Sequence, residues 1–248
     1  FRSPHLIATV SHTKRPSSIA SPYHISNEQA QTVYMIEHTH NQPYDTTGTR
    51  RGFLLGDGTG TGKGRIIAAT ITGHLTRHPG SLAVWVSANK ELSCDAIRDF
   101  SDISSPRDDT VRLSVNRVDH VVSQTPPPNV LFCSYHYLRV NYDRIAQLLY
   151  SHNDPMIVFD ESHISKNASG TGSKIASCVV GIQREFPNAR IVYSSATAMN
   201  GVQSMFHMNR LHIWNTMSTG DRHHAPFSTY RTRSEEHTSE LQSRQYLV

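Results

Sequence analysis

Short apolar runs alternate along this chain with longer segments whose apolar residues recur at helical spacing. The segment SNEQAQTVYMIEHTH predicts a helix with Ser26 as its N-cap, and the later run GFLLGD predicts a buried parallel strand that ends at a tight turn. The next segment, KGRIIAATITGHLTRH, places Ile67, Ile71 and Leu75 at four-residue intervals. This spacing predicts a helix with one buried stripe.

The same alternation continues to the end of the strand-like run at Thr197. Further strands are predicted at LAVWVSA, NVLFCSY, MIVFDE and ARIVYSSAT, and further helices at ELSCDAIRDFSDI, YDRIAQLLYSH and GSKIASCVVGIQREF. Strands that alternate with helices predict an α/β fold, with a mostly parallel sheet and helices on both of its faces. Residues 1–22 show little periodicity and predict an extended lead-in, so the main domain is expected to span residues 23–232.

Composition narrows the class of protein further. The 248 residues are 37% hydrophobic, as expected of a globular core, and 24 Lys and Arg against 20 Asp and Glu give only a mild positive charge. The three cysteines, Cys94, Cys133 and Cys178, form no C-x-x-C pair. They favour a reducing intracellular compartment over a disulfide framework or a zinc ribbon. No apolar run approaches a membrane span, and the start at Phe1 leads us to expect a fragment.

The last sixteen residues have a different character from the rest of the chain. From Arg233 the text RSEEHTSELQS matches, in one reading frame, the translation of a common sequencing adapter. We therefore expect residues 233–248 to be an artefact of library preparation, and a native polar tail is the alternative. A genomic read that continues across Thr232 in the same frame would decide against the artefact.

The stretch GDGTGTGKGR, residues 56–65, predicts a phosphate-binding loop. It lies between a predicted strand and a helix that opens at Lys63, so backbone N–H groups, the helix N-terminus and the lysine charge converge on one place. Two positions depart from the general pattern G-x-x-x-x-G-K-[ST]: Asp57 replaces its first glycine, and Gly64 replaces its hydroxyl residue.

Two further strand ends carry polar groups of the kind that a nucleotide hydrolase uses. The strand MIVF is followed directly by Asp160 and Glu161, which suit a magnesium ligand and a base that deprotonates the attacking water. The next strand ends in the segment from Ser194 to Thr197, whose hydroxyl groups can bind a neighbouring carboxylate. The order of phosphate loop, Asp-Glu and Ser-Ala-Thr is that of the first motor lobe of superfamily 2 helicases.

Four segments together give a closer resemblance. GFLLGDGTGTGKGR, IVFDESHISKN, ARIVYSSATAMN and MNRLHIW resemble the Strawberry notch family of helicase-like nuclear regulators, whose phosphate loop also runs G-K-G-R. The resemblance extends from about Ser11 to Phe227. Ser162 departs from it, because the family usually has Cys at this place in its D-E-C-H box, and the loop between Ile103 and Val130 is divergent and short.

This resemblance implies an ATP and Mg²⁺ site of the superfamily 2 kind. Lys63 and the loop would bind the phosphates, Asp160 would hold Mg²⁺ through water, and Glu161 would be the base. Gln29 lies where related helicases have an adenine-reading glutamine, and Gln31 is a nearby alternative. The other loop residues implied in nucleotide binding are Gly58, Thr59, Gly60, Thr61, Gly62, Gly64 and Arg65.

The resemblance also implies residues that couple the nucleotide to movement and to a polymer. Ser195 and Thr197 would couple nucleotide state to motion, and His163 would contact a second RecA-like lobe that a chain of this length lacks. Candidate nucleic-acid contacts follow two other predicted strands, and ordinary exposed polar loops are the alternative. These candidates are Ser87, Asn89, Lys90, Ser134 and Tyr135.

We therefore expect the ATP-binding lobe of a helicase-like ATPase that acts on nucleic acid or chromatin, with transcription regulators as partners, in the nucleus. The alternative is a non-enzymatic co-regulator that keeps the nucleotide fold as an interaction scaffold. A small-molecule kinase is disfavoured by the Asp-Glu and Ser-Ala-Thr segments. Gly64 offers no hydroxyl to the metal, and we expect water to take its place, with a neighbouring hydroxyl such as that of Thr61, or nothing, as the alternatives. Gly64→Thr should then leave nucleotide affinity unchanged or improved.

Overall fold

A computed structural model describes residues 24–42, 48–56, 60–103, 110–165, 174–195 and 207–212. Within them, six parallel strands form one sheet in the order β1-β6-β5-β2-β4-β3. The predicted α/β class and parallel sheet are thus confirmed. The predicted lead-in at 1–22, the segment 233–248 and the candidate residues Gly58, Thr59 and Thr197 lie outside the described residues.

Strands and helices alternate along the whole described part of the chain. The strands are β1 (Phe53–Leu55), β2 (Ala83–Ser87), β3 (Leu113–Val115), β4 (Val130–Ser134), β5 (Met156–Phe159) and β6 (Arg190–Ser194). The α-helices are α1 (Asn27–His40), α2 (Lys63–Arg77), α3 (Ser93–Ile103), α4 (Val118–Ser123), α5 (Tyr135–Val140), α6 (Tyr142–Tyr150) and α7 (Lys174–Glu185). Two short 3-10 helices lie at Ser162–Ser165 and Asn209–Leu211.

The strands divide their side chains between two hydrophobic cores, one on each face of the sheet. In β2, for example, Val84 and Val86 belong to the core beneath α4 to α7, whereas Ala83 and Trp85 belong to the core beneath α1 to α3. Side chains of a strand point alternately to opposite faces, so a strand that is covered on both sides reads as a continuous apolar run. This is why five of the six strands, all except β3, were visible in the sequence.

Helix α2 differs from the single buried stripe that its sequence predicts. Every residue from Ile66 to Leu75 is buried. The helix packs against α1 and α3 as well as the sheet, so its polar side chains need internal partners. Thr70 and Thr72 find them in the carbonyl groups four residues earlier, Ile66 and Ala68.

Three elements were not predicted from the sequence. Strand β3 has only three residues, and the helices α4 and α5 have six each. Elements this short carry too few apolar positions to show a period of two or of 3.6. Strand β3 pairs with β4 at the edge of the sheet, with Leu113 opposite Val130, so a long-range partner determines its conformation.

A charged cluster closes the amino-terminal edge of the sheet. The Asp154 carboxylate accepts hydrogen bonds from Arg50 Nη2 at 3.2 Å and from Arg190 Nε at 3.0 Å. Among the described residues, His74, His78 and Asp154 bring three possible metal-ligand atoms within 4.8 Å of one another. Because two guanidinium groups already bind the carboxylate, a further cation there would be repelled, and we assign the cluster a structural role.

Within the described residues, no helix is both long enough and apolar enough to cross a bilayer.

Candidate nucleotide site

The predicted phosphate loop leads from β1 into the first turn of α2. Gly62 is the N-cap of α2 and has φ 77°, and Gly60 has φ 80°. Both values lie in the left-handed region that side chains disfavour, which explains why glycine stands at these positions. Thr61 between them is exposed, and Lys63 opens the helix half-buried.

Gln29 of α1 forms a hydrogen bond with the backbone of this loop. Its Nε2 donates to the carbonyl of Thr61 at 3.2 Å, and its Oε1 accepts from the Ser26 N–H at 3.0 Å. A β-carbon at Gly62 would overlap Nε2 of Gln29. Both ends of the Gln29 amide are therefore engaged within the protein, and the contact seen is with the loop backbone.

Helix α3 flanks the first turn of α2 with two carboxylates. Arg65 Nη2 forms an ion pair with Asp102 Oδ2 at 2.7 Å. A β-carbon at Gly64 would overlap Oδ2 of Asp99 and lie 3.0 Å from its Cγ. A threonine at position 64 must therefore displace the end of the Asp99 side chain, and its effect on nucleotide affinity stays a prediction.

Asp160 follows β5 at the carboxyl edge of the sheet and takes part in three hydrogen bonds that fix its position. Its N–H donates to the carbonyl of Val86 at 2.8 Å and extends the pairing with β2. Ser87 Oγ donates to Asp160 Oδ2 at 3.0 Å, and Tyr135 Oη donates to the Asp160 carbonyl at 2.8 Å. Burial, followed by the Asp160 charge, raises the pKa of Tyr135 well above its ordinary value, which keeps this hydroxyl a donor.

Two of the candidate nucleic-acid residues therefore have a different setting from the one expected. Ser87 is fully buried and Tyr135 is 1% exposed, so both hydroxyls face Asp160 and not the solvent. Ser134 is the N-cap of α5 and accepts from the Tyr137 N–H at 3.1 Å. Asn89 and Lys90 are exposed after β2, where contact with a polymer stays a prediction.

His163 lies between Glu161 and the end of β6. His163 Nδ1 lies 3.2 Å from Glu161 Oε2 and 3.2 Å from Ser195 Oγ. Ser195 is buried, and its N–H donates to the carbonyl of Leu55, the last residue before the phosphate loop, at 3.2 Å. Glu161 has φ 47° although it is not glycine. Such a conformation persists only where the surroundings enforce it, and it is frequent at functional sites.

The donor set fits a hard divalent cation. Asp160 and Glu161 stand side by side at the carboxyl end of β5, and oxygen atoms of carboxylates are the ligands that Mg²⁺ prefers. The loop at the N-terminus of α2 fits phosphate groups. Sequence reasoning found all of these residues, but it missed the support that Ser87 and Tyr135 give Asp160 and the approach of Asp99 to Gly64. No local pattern signals contacts between residues so far apart in the chain.

Comparison with known proteins agrees with this geometry. The family model for the P-loop containing NTP hydrolase pore-1 matches residues 4–245. Protein strawberry notch homolog 2 of Mus musculus is 38% identical over 179 residues, which are 68% of this chain and 13% of that protein. Protein strawberry notch of Drosophila melanogaster is 31% identical over 209 residues, 77% of this chain and 12% of that protein. Protein FORGETTER 1 of Arabidopsis thaliana is 33% identical over 185 residues, 67% of this chain and 14% of that protein.

A solved structure has the same fold. The Sulfolobus solfataricus SWI2/SNF2 ATPase core in complex with dsDNA superposes with a TM-score of 0.51 at 15% sequence identity. The match covers 73% of this chain and 33% of that chain. The fold, the phosphate loop, the family model and the relatives lead to one conclusion: this chain belongs to the Strawberry notch family, and its sheet is a RecA-like P-loop NTP hydrolase lobe.

Proposed function

We propose that this chain is the ATP-binding first lobe of a helicase-like ATPase that acts on nucleic acid or chromatin in transcription control. The observation that carries the proposal is the contact of His163 with both Glu161 and Ser195 beside the phosphate loop. An imidazole that contacts both the base and the end of the strand beside the loop can couple a change at the base to that strand. A pure interaction scaffold has no physical need for this arrangement.

Each residue has a proposed task. The loop N–H groups and Lys63 bind and orient the phosphates, and Glu161 takes the proton of the attacking water. Asp160, held by Ser87 and Tyr135, would keep Mg²⁺ beside the phosphates, where the cation neutralises negative charge that develops during phosphoryl transfer. His163 and Ser195 carry a change at Glu161 to the end of β6.

We propose the action on nucleic acid for the full-length protein and not for this chain alone. The chain spans only 12 to 14% of the three relatives above and 33% of the SWI2/SNF2 core. Motors of this class place nucleotide between two lobes, the second of which supplies arginines that stabilise the transition state. We therefore propose that nuclear partners and a second lobe complete the site, and that this chain alone binds nucleotide weakly and hydrolyses it slowly.

The decisive experiment measures ATP turnover by the full-length protein with and without DNA or RNA. We expect Glu161→Gln to lower kcat by about 10²- to 10⁴-fold, the usual contribution of a general base. Lys63→Ala should weaken nucleotide binding. Asp143→Asn is the matched control, because it removes an exposed carboxylate from α6 and should leave the rate unchanged.

The same experiment distinguishes an ATPase from a non-enzymatic interaction scaffold. If the full-length protein turns over ATP no faster than its Lys63→Ala and Glu161→Gln variants, the proposal of an ATPase is wrong. A non-enzymatic co-regulator that uses the nucleotide fold as a scaffold would then be the better explanation.

A further inference from the structure

The first turn of α2 lacks the hydroxyl that a phosphate loop ordinarily offers to the nucleotide's cation. Position 64, directly after Lys63, is glycine, where the general pattern has Ser or Thr. Gly64 lies inside α2, and no left-handed φ is recorded for it, so its backbone would accept a side chain. The reason for glycine at this position must be sought in what surrounds it.

The space beside Gly64 is occupied by a carboxylate from another helix. Asp99 of α3 places Oδ2 where a β-carbon of residue 64 would overlap it, with its Cγ 3.0 Å and its Oδ1 3.7 Å from that β-carbon. A Ser or Thr hydroxyl is one bond beyond the β-carbon. An oxygen atom therefore already lies beside the first turn of α2, close to the place of a residue-64 side chain, but it belongs to Asp99.

The charge of Asp99 is poorly compensated within the described part of the protein. Its side chain is only 13% exposed, and its recorded ion pair is with the neighbouring Arg98 at 3.8 Å. Arg65, the other nearby cation, also favours the ionised form of Asp99 but pairs with Asp102. Burial raises the pKa of Asp99. The ionised form of a largely buried carboxylate with so little compensating charge is stabilised by a cation placed against it.

We propose that Asp99 supplies the loop-side oxygen for the divalent cation of a bound nucleotide, in place of the Ser or Thr hydroxyl that Gly64 cannot offer. Asp99 and Asp160 would then each contribute a carboxylate to the cation. This inference rests on the proposed nucleotide-binding function. It replaces the expectation that water alone fills the place left by the missing hydroxyl.

The test compares nucleotide affinity of the chain with and without a cation. The probe is a fluorescent, non-hydrolysable ATP analogue, titrated in EDTA and again in MnCl₂, and the ratio of the two dissociation constants reports how much the cation contributes. We expect Asp99→Asn to reduce this ratio by roughly 10-fold or more, the scale on which the partners of metal sites act. Affinity in EDTA should stay equal or rise, because a negative charge near the phosphates is removed.

A matched control lies on another helix. Asp143 of α6 is an exposed carboxylate, so Asp143→Asn should leave the ratio unchanged. A purely structural role for Asp99 would instead weaken binding equally in EDTA and in MnCl₂, and that result would overturn the proposal. If the full-length protein binds the analogue in neither condition, the proposed function itself fails.

A rescue experiment tests whether a hydroxyl oxygen at position 64 can replace the carboxylate oxygen of Asp99. Asp99→Ala should lose most of the cation effect. The double variant Gly64→Ser with Asp99→Ala returns a hydroxyl to the first turn of α2, into the space that the carboxylate has left, and should regain the effect. If the double variant behaves like Asp99→Ala, Asp99 does not stand in for the hydroxyl.

Discussion

The glycines of the phosphate loop have different reasons for being glycine. Gly60 and Gly62 have left-handed backbone conformations, whereas Gly64 is helical and adjoins the Asp99 carboxylate. Gly62 has an additional constraint, because a β-carbon there would overlap Nε2 of Gln29. Side chains at Gly62 and Gly64 would therefore disturb different neighbours of the same loop.

We predict that Gly62→Ala both destabilises the fold and impairs nucleotide binding. A left-handed conformation costs a residue with a side chain about 1–2 kcal/mol, and here the new methyl group also pushes Gln29 away from the Thr61 carbonyl. Chemical denaturation measures the first effect, and titration with a fluorescent nucleotide measures the second.

Gly80→Ala is the matched control for this variant. Gly80 has φ 92°, and a β-carbon there would meet nothing within 4 Å. It should lose a similar amount of stability and bind nucleotide normally. Equal loss of nucleotide binding in both variants would show that the Gln29 contact does not matter.

At the scale of the element, α1 begins with a complete capping box. Ser26 Oγ accepts from the Gln29 N–H at 3.2 Å, and the Gln29 side chain accepts from the Ser26 N–H. The side-chain oxygen of Gln29 thus takes part in the cap of α1, and its side-chain nitrogen donates to the phosphate loop. Gln29 therefore contributes both to the stability of α1 and to the position of the loop.

We predict that Ser26→Ala lowers the free energy of unfolding by about 1 kcal/mol, the usual cost of a lost N-cap. Nucleotide affinity should change little, because Gln29 can still accept from the backbone N–H of residue 26 and donate to Thr61. Denaturant titration of the purified chain measures the stability.

Ser101→Ala provides the comparison for the capping variant. Ser101 is an exposed residue of α3 whose hydroxyl donates to the Ile97 carbonyl. Alanine is a better helix former than serine, so this variant should be neutral or slightly more stable. A stability loss equal to that of Ser26→Ala would contradict the capping argument.

At the scale of the whole molecule, the cluster at the amino-terminal edge connects α1, α2, β5 and β6. Burial lowers the pKa of His40 to about 4 and that of His74 to about 3. Burial opposes the ionisation of Asp154, but its hydrogen bond to Arg190 and the Arg190 charge lower its pKa. Neutral histidines beside two arginines and one aspartate keep this edge close to charge balance.

We predict from this cluster that the free energy of unfolding decreases in mild acid. The unfolded chain protonates histidine near pH 6.5, whereas folded His40 resists protonation until about pH 4. The unfolded state therefore binds more protons between these values, and stability that is complete above pH 6.5 falls as the pH approaches 4. His40 alone accounts for up to about 3 kcal/mol of this loss.

His40→Gln tests this prediction. The amide can still donate to the Ile191 carbonyl, which His40 Nε2 does at 3.0 Å, but it cannot take up a proton. Unfolding measured from pH 7 to pH 4 should show a smaller acid sensitivity for this variant. His38→Gln changes an exposed histidine of the same helix and should match the unmodified chain; an equal change in both variants would contradict the role given to burial.

Local chemistry made a large part of this protein predictable. The phosphate loop, the Asp160–Glu161 strand end and the N-cap at Ser26 depend on neighbours in the chain, and the strands on apolar runs that any covered sheet requires. The helical position of α2 was predicted, but its complete burial was not, because burial depends on which other helices lie against it.

The amino-acid sequence by itself determined the α/β alternation and the family, and it singled out the residues proposed for the candidate nucleotide site. Only the tertiary structure decided that Ser87 and Tyr135 support Asp160, that Gln29 holds the loop, and that Asp99 fills the space beside Gly64. The physical reason is that the first group rests on short-range periodicity and turn geometry. The second depends on side chains that are distant in sequence and meet only when the sheet and its helices have packed.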